Sequence, residues 1–268
     1  MSAVRRVVAL GVTVIMTFRL LWWLFVTFGP EDIDHLDRLL QVLHRIFPFQ
    51  RGLFEGKVTN LWCALSVKPF RIRQRIPADY QPLAALALTI VLMAPSCYKL
   101  FQIGKRNHPN NTRILLHGMT SCSLAFFLAS FQVHKKSLLI ALAPATALQT
   151  GSRLLQRYWT IAFADWFSIV VTWTLWPLLQ IDRLQVPYVC TLLLFIVGIQ
   201  LRHDLSSLSR PRGFFEQQRV LNRGVPILSY EIMTSLHIAE VLITPLDHLP
   251  DLFAVLWSIT GCGFCVLA

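Results

Sequence analysis

Cations set among aromatic rings mark two stretches of this chain. Arg45-Ile-Phe-Pro-Phe-Gln-Arg-Gly-Leu-Phe-Glu-Gly-Lys-Val-Thr-Asn-Leu-Trp-Cys63 places Arg45, Arg51, Glu55 and Lys57 between apolar residues. Phe131-Gln-Val-His-Lys-Lys-Ser137 adds Gln132, His134 and Lys136. Guanidinium and ammonium groups make charge-assisted hydrogen bonds to anionic oxygens, and aromatic rings suit the boundary between water and hydrocarbon. Beside a bilayer, loops of this make-up can handle a polar lipid head group. In a soluble domain the same run would fit any loop, so its meaning depends on what surrounds it.

What surrounds it is apolar. Hydrophobic residues make up 54% of the 268 and charged residues 15%, with a mean hydropathy of +0.53. Those values indicate a polytopic membrane protein. Runs long enough to cross about 30 Å of hydrocarbon fall near residues 7–28, 82–98, 114–133, 158–179, 186–201, 225–245 and 252–268. The stretch 137–149 is apolar but short and holds Pro144, so it is either a re-entrant piece or a kinked span. The expected fold is all-α, a transmembrane bundle of seven or eight segments in one domain over 1–268, because an open sheet would leave backbone groups unpaired in lipid.

Segment 31–47 differs in kind. Pro30 suits a helix start, Glu31, Asp32 and Asp34 favour its positive end, and Ile33, Leu36, Leu40, Leu43 and Phe47 recur at helical spacing. It reads as an amphipathic interfacial helix, with packing against the bundle as the other reading.

The formal net charge of +11 raises nucleic-acid binding. The basic residues lie between apolar runs, without a zinc-finger or RNA-binding signature, so no nucleic-acid partner is expected. Charge asymmetry across the spans explains them better. With Arg5 and Arg6 in the cytosol, that side also holds Lys99, Lys105, Arg106, Arg113, Arg153, Arg157, Arg202, Arg210, Arg212, Arg219 and Arg223. The opposite short loops hold only Lys135, Lys136 and Arg183. That is the positive-inside pattern. The long loop 29–81 carries eight Lys or Arg residues on the other, lumenal side. The glycosylation sequon Asn110-Asn-Thr112 falls in the cytosol and should carry no glycan.

Other ionisable residues have competing readings. Arg19 and Asp165 fall inside spans, where function competes with snorkelling, an internal pair or a shifted boundary. Glu231, His237 and Glu240 share one span, and spacings of six and three place them roughly along one face. No paired ligand motif accompanies them, so no metal is expected. Cys262-Gly-Phe-Cys265 has redox spacing in a terminal apolar helix, where small residues for close helix approach are the simpler reading.

Three blocks, in order, carry a resemblance: Arg51-Gly-Leu-Phe-Glu-x-Lys-Val-x-Asn-x-Trp-Cys63, Ser130-Phe-Gln-Val-His-x-Lys-Ser137 and Leu249-Pro-Asp-Leu-Phe-x-Val-Leu256. The chain resembles the dolichyl-phosphate-glucose-dependent α-1,3-glucosyltransferases of the endoplasmic reticulum, most clearly over 30–150 and 225–268. Phe54-Glu55 and Phe131-Gln132 look more like the enzyme adding the first glucose than its paralogue adding the second. The resemblance implies a multi-pass endoplasmic reticulum membrane protein with the GT-C type of fold. Its substrates would be dolichyl phosphate glucose and a lipid-linked high-mannose oligosaccharide. A β-linked donor and an α-linked product imply one inverting displacement at the lumenal face, without a cofactor. Such a step needs a carboxylate to accept the hydroxyl proton and positive charge on the departing phosphate. His134 is the first candidate for the donor phosphate, followed by Lys136 and Arg51, then Lys57. Glu55 and Gln132 would support them. From the residues alone, capping or bracing their loops is the favoured reading for His134 and Glu55, and the resemblance is what reverses it for His134.

The sequence departs from that family at Lys135, where Glu is common, and at Gly56, where Asp is usual. The family's catalytic carboxylate lies in an N-terminal part with no counterpart in this sequence. The chain therefore reads as a C-terminal half, inactive by itself, for which another chain could supply the missing half. A non-catalytic dolichyl-phosphate-binding subunit or remnant is the alternative function. A transporter is disfavoured by the absence of an internal repeat.

Overall fold

Hydrocarbon offers no partner to a bare amide, so a chain this apolar satisfies its backbone through helices. The computed structural model describes residues 3–27, 34–46, 58–105, 111–131, 133–148, 154–207, 224–245 and 249–268. Among the described residues the regular structure is entirely helical, as the composition predicts. The chain forms two compact units, Met1–Gly52 and Leu53–Ala268.

The first unit contains α1 (Ala3–Thr27) and α2 (His35–Ile46), packed on each other. On α2 the apolar side chains of Leu36 and Leu40 are exposed, Leu39 is half-buried and Arg38 is buried. Among the described residues of this unit, Leu36 and Leu40 thus have no apolar cover, which fits both an interfacial helix and one packed on other spans. The expected start of this helix, Pro30 to Ile33, lies outside the described residues. Arg19, on α1, is exposed.

The second unit holds α3 (Leu61–Leu65), α4 (Ile72–Arg75), α5 (Gln81–Gly104), α6 (Asn111–Ala129), α7 (Leu138–Ala147), α8 (Leu154–Thr174), α9 (Trp176–Ile181), α10 (Gln185–Ser207), α11 (Gly224–Leu242) and α12 (Leu252–Leu267). Among the described residues, four stretches are long and apolar enough to cross a membrane: Ala78–Gly104, Thr112–Ala129, Gln185–Arg202 and Gly224–Leu242. Shorter apolar helices cover Val7–Trp23, Ile161–Thr174 and Leu252–Leu267. The protein is an all-α, polytopic membrane protein.

Helix α7 corresponds to the ambiguous stretch around Pro144. Leu138, Ala141, Ala145 and Leu148 are buried at helical spacing. At about 1.5 Å per residue the helix covers roughly half the hydrocarbon thickness. The stretch 158–179 is interrupted at Leu175. Pro177 lacks an N–H and its ring crowds the preceding turn, so the helix stops at Thr174 and restarts at Trp176.

The core of this unit gathers Phe127, Leu138, Phe167, Val170, Val171, Trp173 and Trp257, all nearly inaccessible. Polar pins join the spans around it. Trp166 Nε1 donates to Ser229 Oγ at 2.8 Å, which donates to Pro226 O at 2.7 Å. Arg202 pairs with the buried Asp165. The sequence reading put Arg202 in a cytosolic loop. Instead α10 continues to Ser207, and Arg202 neutralises the intramembrane carboxylate from a neighbouring helix. Of the readings open for Asp165, the internal pair is the one observed.

Candidate functional site

The His134 turn begins where α6 stops. Ser130 N–H still bonds to Phe126 O at 2.9 Å, closing the last helical turn. His134 then adopts an extended backbone, with φ −85° and ψ 151°, ahead of a 3₁₀ turn over Lys135–Ser137. Its carbonyl accepts from Ser137 N–H at 2.9 Å. The backbone of His134 is thus fixed, while its side chain and that of Lys136 are exposed. Lys135 between them is half-buried.

Beneath this turn runs a strap, residues 58–63. Asn60 caps α3 by accepting from Cys63 N–H at 2.9 Å through Oδ1. Trp62 Nε1 donates to Ala129 O at 2.7 Å, joining the strap to the end of α6. The Trp62 side chain packs in a small cluster with Ala85 and Phe131. Val58 O accepts twice, from Asn60 N–H at 2.8 Å and from Ser258 Oγ at 2.6 Å. Burial pushes the Cys63 thiol above its usual pKa, while a Val58 backbone hydrogen bond and the nearby Lys135 charge pull the other way. The Lys135 charge thus reaches the strap, while His134 and Lys136 are exposed.

The third block forms the start of α12. Leu252 N–H bonds to Leu249 O at 3.1 Å and Val255 N–H to Asp251 O at 3.0 Å, while Phe253 is buried in the core shared with Val58 and Cys63. Gly261, two turns into α12, leaves room for Thr59 and Thr174. A Cβ there would run into both threonine side chains.

Described residues of the three blocks thus pack together: Val58 and Cys63 with Val133 and Phe253, and Trp62 with Phe131. Of the candidate residues, the structure brings His134 and Lys136 together on the exposed turn. Arg51, Lys57, Glu55 and Gln132 lie outside the described residues, as does Gly56. The sequence reading missed Ser258 and the scaffolding roles of Asn60 and Trp62. A serine three residues before a glycine in an apolar helix was the available signal for close contact. Cys262 and Cys265 are buried free thiols beside that contact, in keeping with close helix packing.

The shared face assigned to Glu231, His237 and Glu240 requires correction. Nine residues at about 3.6 per turn place Glu231 opposite Glu240. Glu231 is exposed, whereas Glu240 accepts from Trp176 Nε1 at 2.7 Å and Gln180 Nε2 at 3.2 Å. His237 Nε2 lies 3.2 Å from Tyr188 Oη, and its ring meets Trp176 and Trp257 edge to face. These groups brace α9, α10, α11 and α12.

A protein from Schizosaccharomyces pombe named probable dolichyl pyrophosphate Man9GlcNAc2 alpha-1,3-glucosyltransferase is 33% identical over 254 residues, covering 94% of this chain and 44% of that protein. The Gallus gallus protein of that name, without "probable", is 31% identical, covering 95% of this chain and 49% of its own length. The Saccharomyces cerevisiae counterpart is 31% identical over 84% of this chain and 43% of its own length. The chain thus spans about half the length of the curated relatives it matches. The model of the ALG6, ALG8 glycosyltransferase family matches residues 1–268, and the chain belongs to that family.

Proposed function

We propose that this chain binds the phosphate of dolichyl phosphate glucose and takes part in glucosyl transfer to a dolichyl-pyrophosphate-linked Man9GlcNAc2 oligosaccharide. The reaction would occur at the lumenal face of the endoplasmic reticulum membrane. The observation that carries this reading is the exposed His134–Lys136 turn, which follows the end of α6 where Trp62 of the buried strap bonds to Ala129 O, the strap itself being held at Val58 by Ser258 of α12. A phosphate leaving the anomeric carbon gains negative charge as the bond breaks. Cationic donors held in place stabilise that charge without reorganising. His134 is the first candidate donor, followed by Lys136 and Arg51 and then Lys57, with Glu55 and Gln132 as supporting residues.

In the displacement, the acceptor hydroxyl oxygen attacks the anomeric carbon from the face opposite the phosphate. The C–O bond to phosphate breaks with its electron pair, and the configuration inverts. The hydroxyl proton passes to a carboxylate. We assign that carboxylate to the portion of the relatives that this chain does not span, so the chain alone would bind donor without transferring glucose.

The test is glucosyl transfer in microsomes from cells lacking their own enzyme of this kind. The chain is expressed alone or together with the complementary N-terminal portion of a relative. Transfer only in the combined sample, lost in His134→Ala, supports the proposal. Transfer by the chain alone would refute the division of labour, and transfer unaffected by His134→Ala would refute the phosphate site.

A further inference from the structure

Ser258 lies far from the candidate site in sequence yet is bonded into its foundation. Its side chain is 3% exposed, and its hydroxyl donates to the Val58 carbonyl across 200 residues. Around it the contact is built for one position. Thr59 fits against Gly261 with no room for another carbon. Trp257 is wedged between Trp173 and His237, with ring centroids 3.9 and 4.8 Å away. Glu240 in turn holds Trp176, which stacks on Trp257 at 6.4 Å. The hydroxyl of Ser258 is therefore presented by a helix whose neighbours leave it little freedom.

From Val58 the strap leads to the turn in five residues. Asn60 fixes α3 and Trp62 bonds to the last carbonyl of α6. Both bonds are short and buried, so a shift at Val58 carries to the segment holding His134 and Lys136.

We infer that Ser258 is a positioning residue for the His134–Lys136 turn, acting through the strap 58–63 to hold the turn ready for an anionic phosphate. The inference rests on the donor-phosphate reading of that turn. Ser258 touches no substrate; it sets where the cations stand. Without its hydroxyl, the Val58 carbonyl keeps, among the described residues, the local bond from Asn60, and α12 holds the strap by packing alone.

The test uses the full chain, purified in detergent, with radiolabelled dolichyl phosphate glucose as the probe and thermal unfolding recorded in parallel. Five proteins are compared: wild type, Ser258→Ala, Ser258→Thr, His134→Ala and the Ser258→Ala/His134→Ala double variant. Loss of one buried hydrogen bond should weaken donor binding about tenfold in Ser258→Ala. Ser258→Thr, which keeps the hydroxyl, should recover most of that loss. In the His134→Ala background Ser258→Ala should add little, because both act on one turn. Donor affinity within twofold of wild type in Ser258→Ala would overturn the inference, as would a full additive loss on top of His134→Ala. If His134→Ala abolishes binding while Ser258→Ala leaves it intact, the phosphate site stands and the positioning role falls. If wild type itself binds no donor, the phosphate reading and this inference fall together.

Discussion

Replacing Trp62 by phenylalanine isolates the link between the strap and the His134 turn. The substitution keeps an aromatic ring beside Ala85 and Phe131 but removes the N–H that bonds to Ala129 O at 2.7 Å. Ala129 ends α6, so its carbonyl has no partner in the helix ladder. Leaving such an acceptor buried and unpaired costs about 1–3 kcal/mol. The smaller ring gives up about 1 kcal/mol more in packing, since Trp62 is 5% exposed. The expected loss is about 2–4 kcal/mol, or roughly a 5–10 °C fall in apparent Tm for a unit of this size. Thermal unfolding in detergent, followed by circular dichroism, measures it. Trp23→Phe is the control, because Trp23 is 55% exposed on α1, and its change should stay within about 0.5 kcal/mol. An apparent Tm for Trp62→Phe within about 1 °C of wild type would refute the strap as a structural link.

The remaining predictions concern packing, charge, protonation and topology. Gly261→Ala should destabilise by about 1–3 kcal/mol through overpacking on Thr59 and Thr174. Gly263→Ala, with open space around it, should be neutral in the same melting assay. A double-mutant cycle of Asp165→Ala and Arg202→Ala should show a coupling of about 1 kcal/mol, because the Arg202 side chain is 44% exposed and the pair is partly screened. Cys63 has a raised thiol pKa in the folded chain, so the folded state keeps its proton longer than the unfolded one. Its contribution is flat below the unfolded thiol's pKa, about 8.5, and lowers stability as pH rises above it. Urea midpoints between pH 7 and 10 should therefore fall less steeply in Cys63→Ala. Finally, deglycosylation should leave gel mobility unchanged, and a shift abolished by Asn110→Gln would overturn the assigned topology.

Much of the architecture was legible because the bilayer simplifies the code. Apolar runs near 82–98, 186–201 and 225–245 became α5, α10 and α11, since hydrocarbon forces backbone groups to pair within each segment. The break at Leu175 was missed because its hydropathy is unremarkable, and only Pro177 announced it. Arg202 was placed in a loop for the opposite reason. Its charge ended the apolar run, although the helix continues past it to Ser207 and Arg202 pairs with Asp165 of another helix. The error over Glu231 came from treating a spacing of six as a repeat of three, when each step of three falls short of a full turn.

At the candidate site, the sequence blocks blurred two kinds of residue. Asn60, Trp62 and Cys63 stand in the same motif as the cations, yet they are buried and bonded to the scaffold. His134 and Lys136 are exposed on the turn which that scaffold holds. No local pattern separates these roles, because burial depends on contacts with Ala129 and Ser258, which are distant in sequence.

The most direct measurement is binding of dolichyl phosphate glucose to the purified chain, with dolichyl phosphate and unphosphorylated dolichol as competitors. The donor-phosphate reading predicts saturable binding that dolichyl phosphate displaces and dolichol does not. His134→Ala should weaken it about tenfold or more, as expected for loss of a charge-assisted contact. Equal binding by wild type and His134→Ala, or equal displacement by dolichol, would contradict the account.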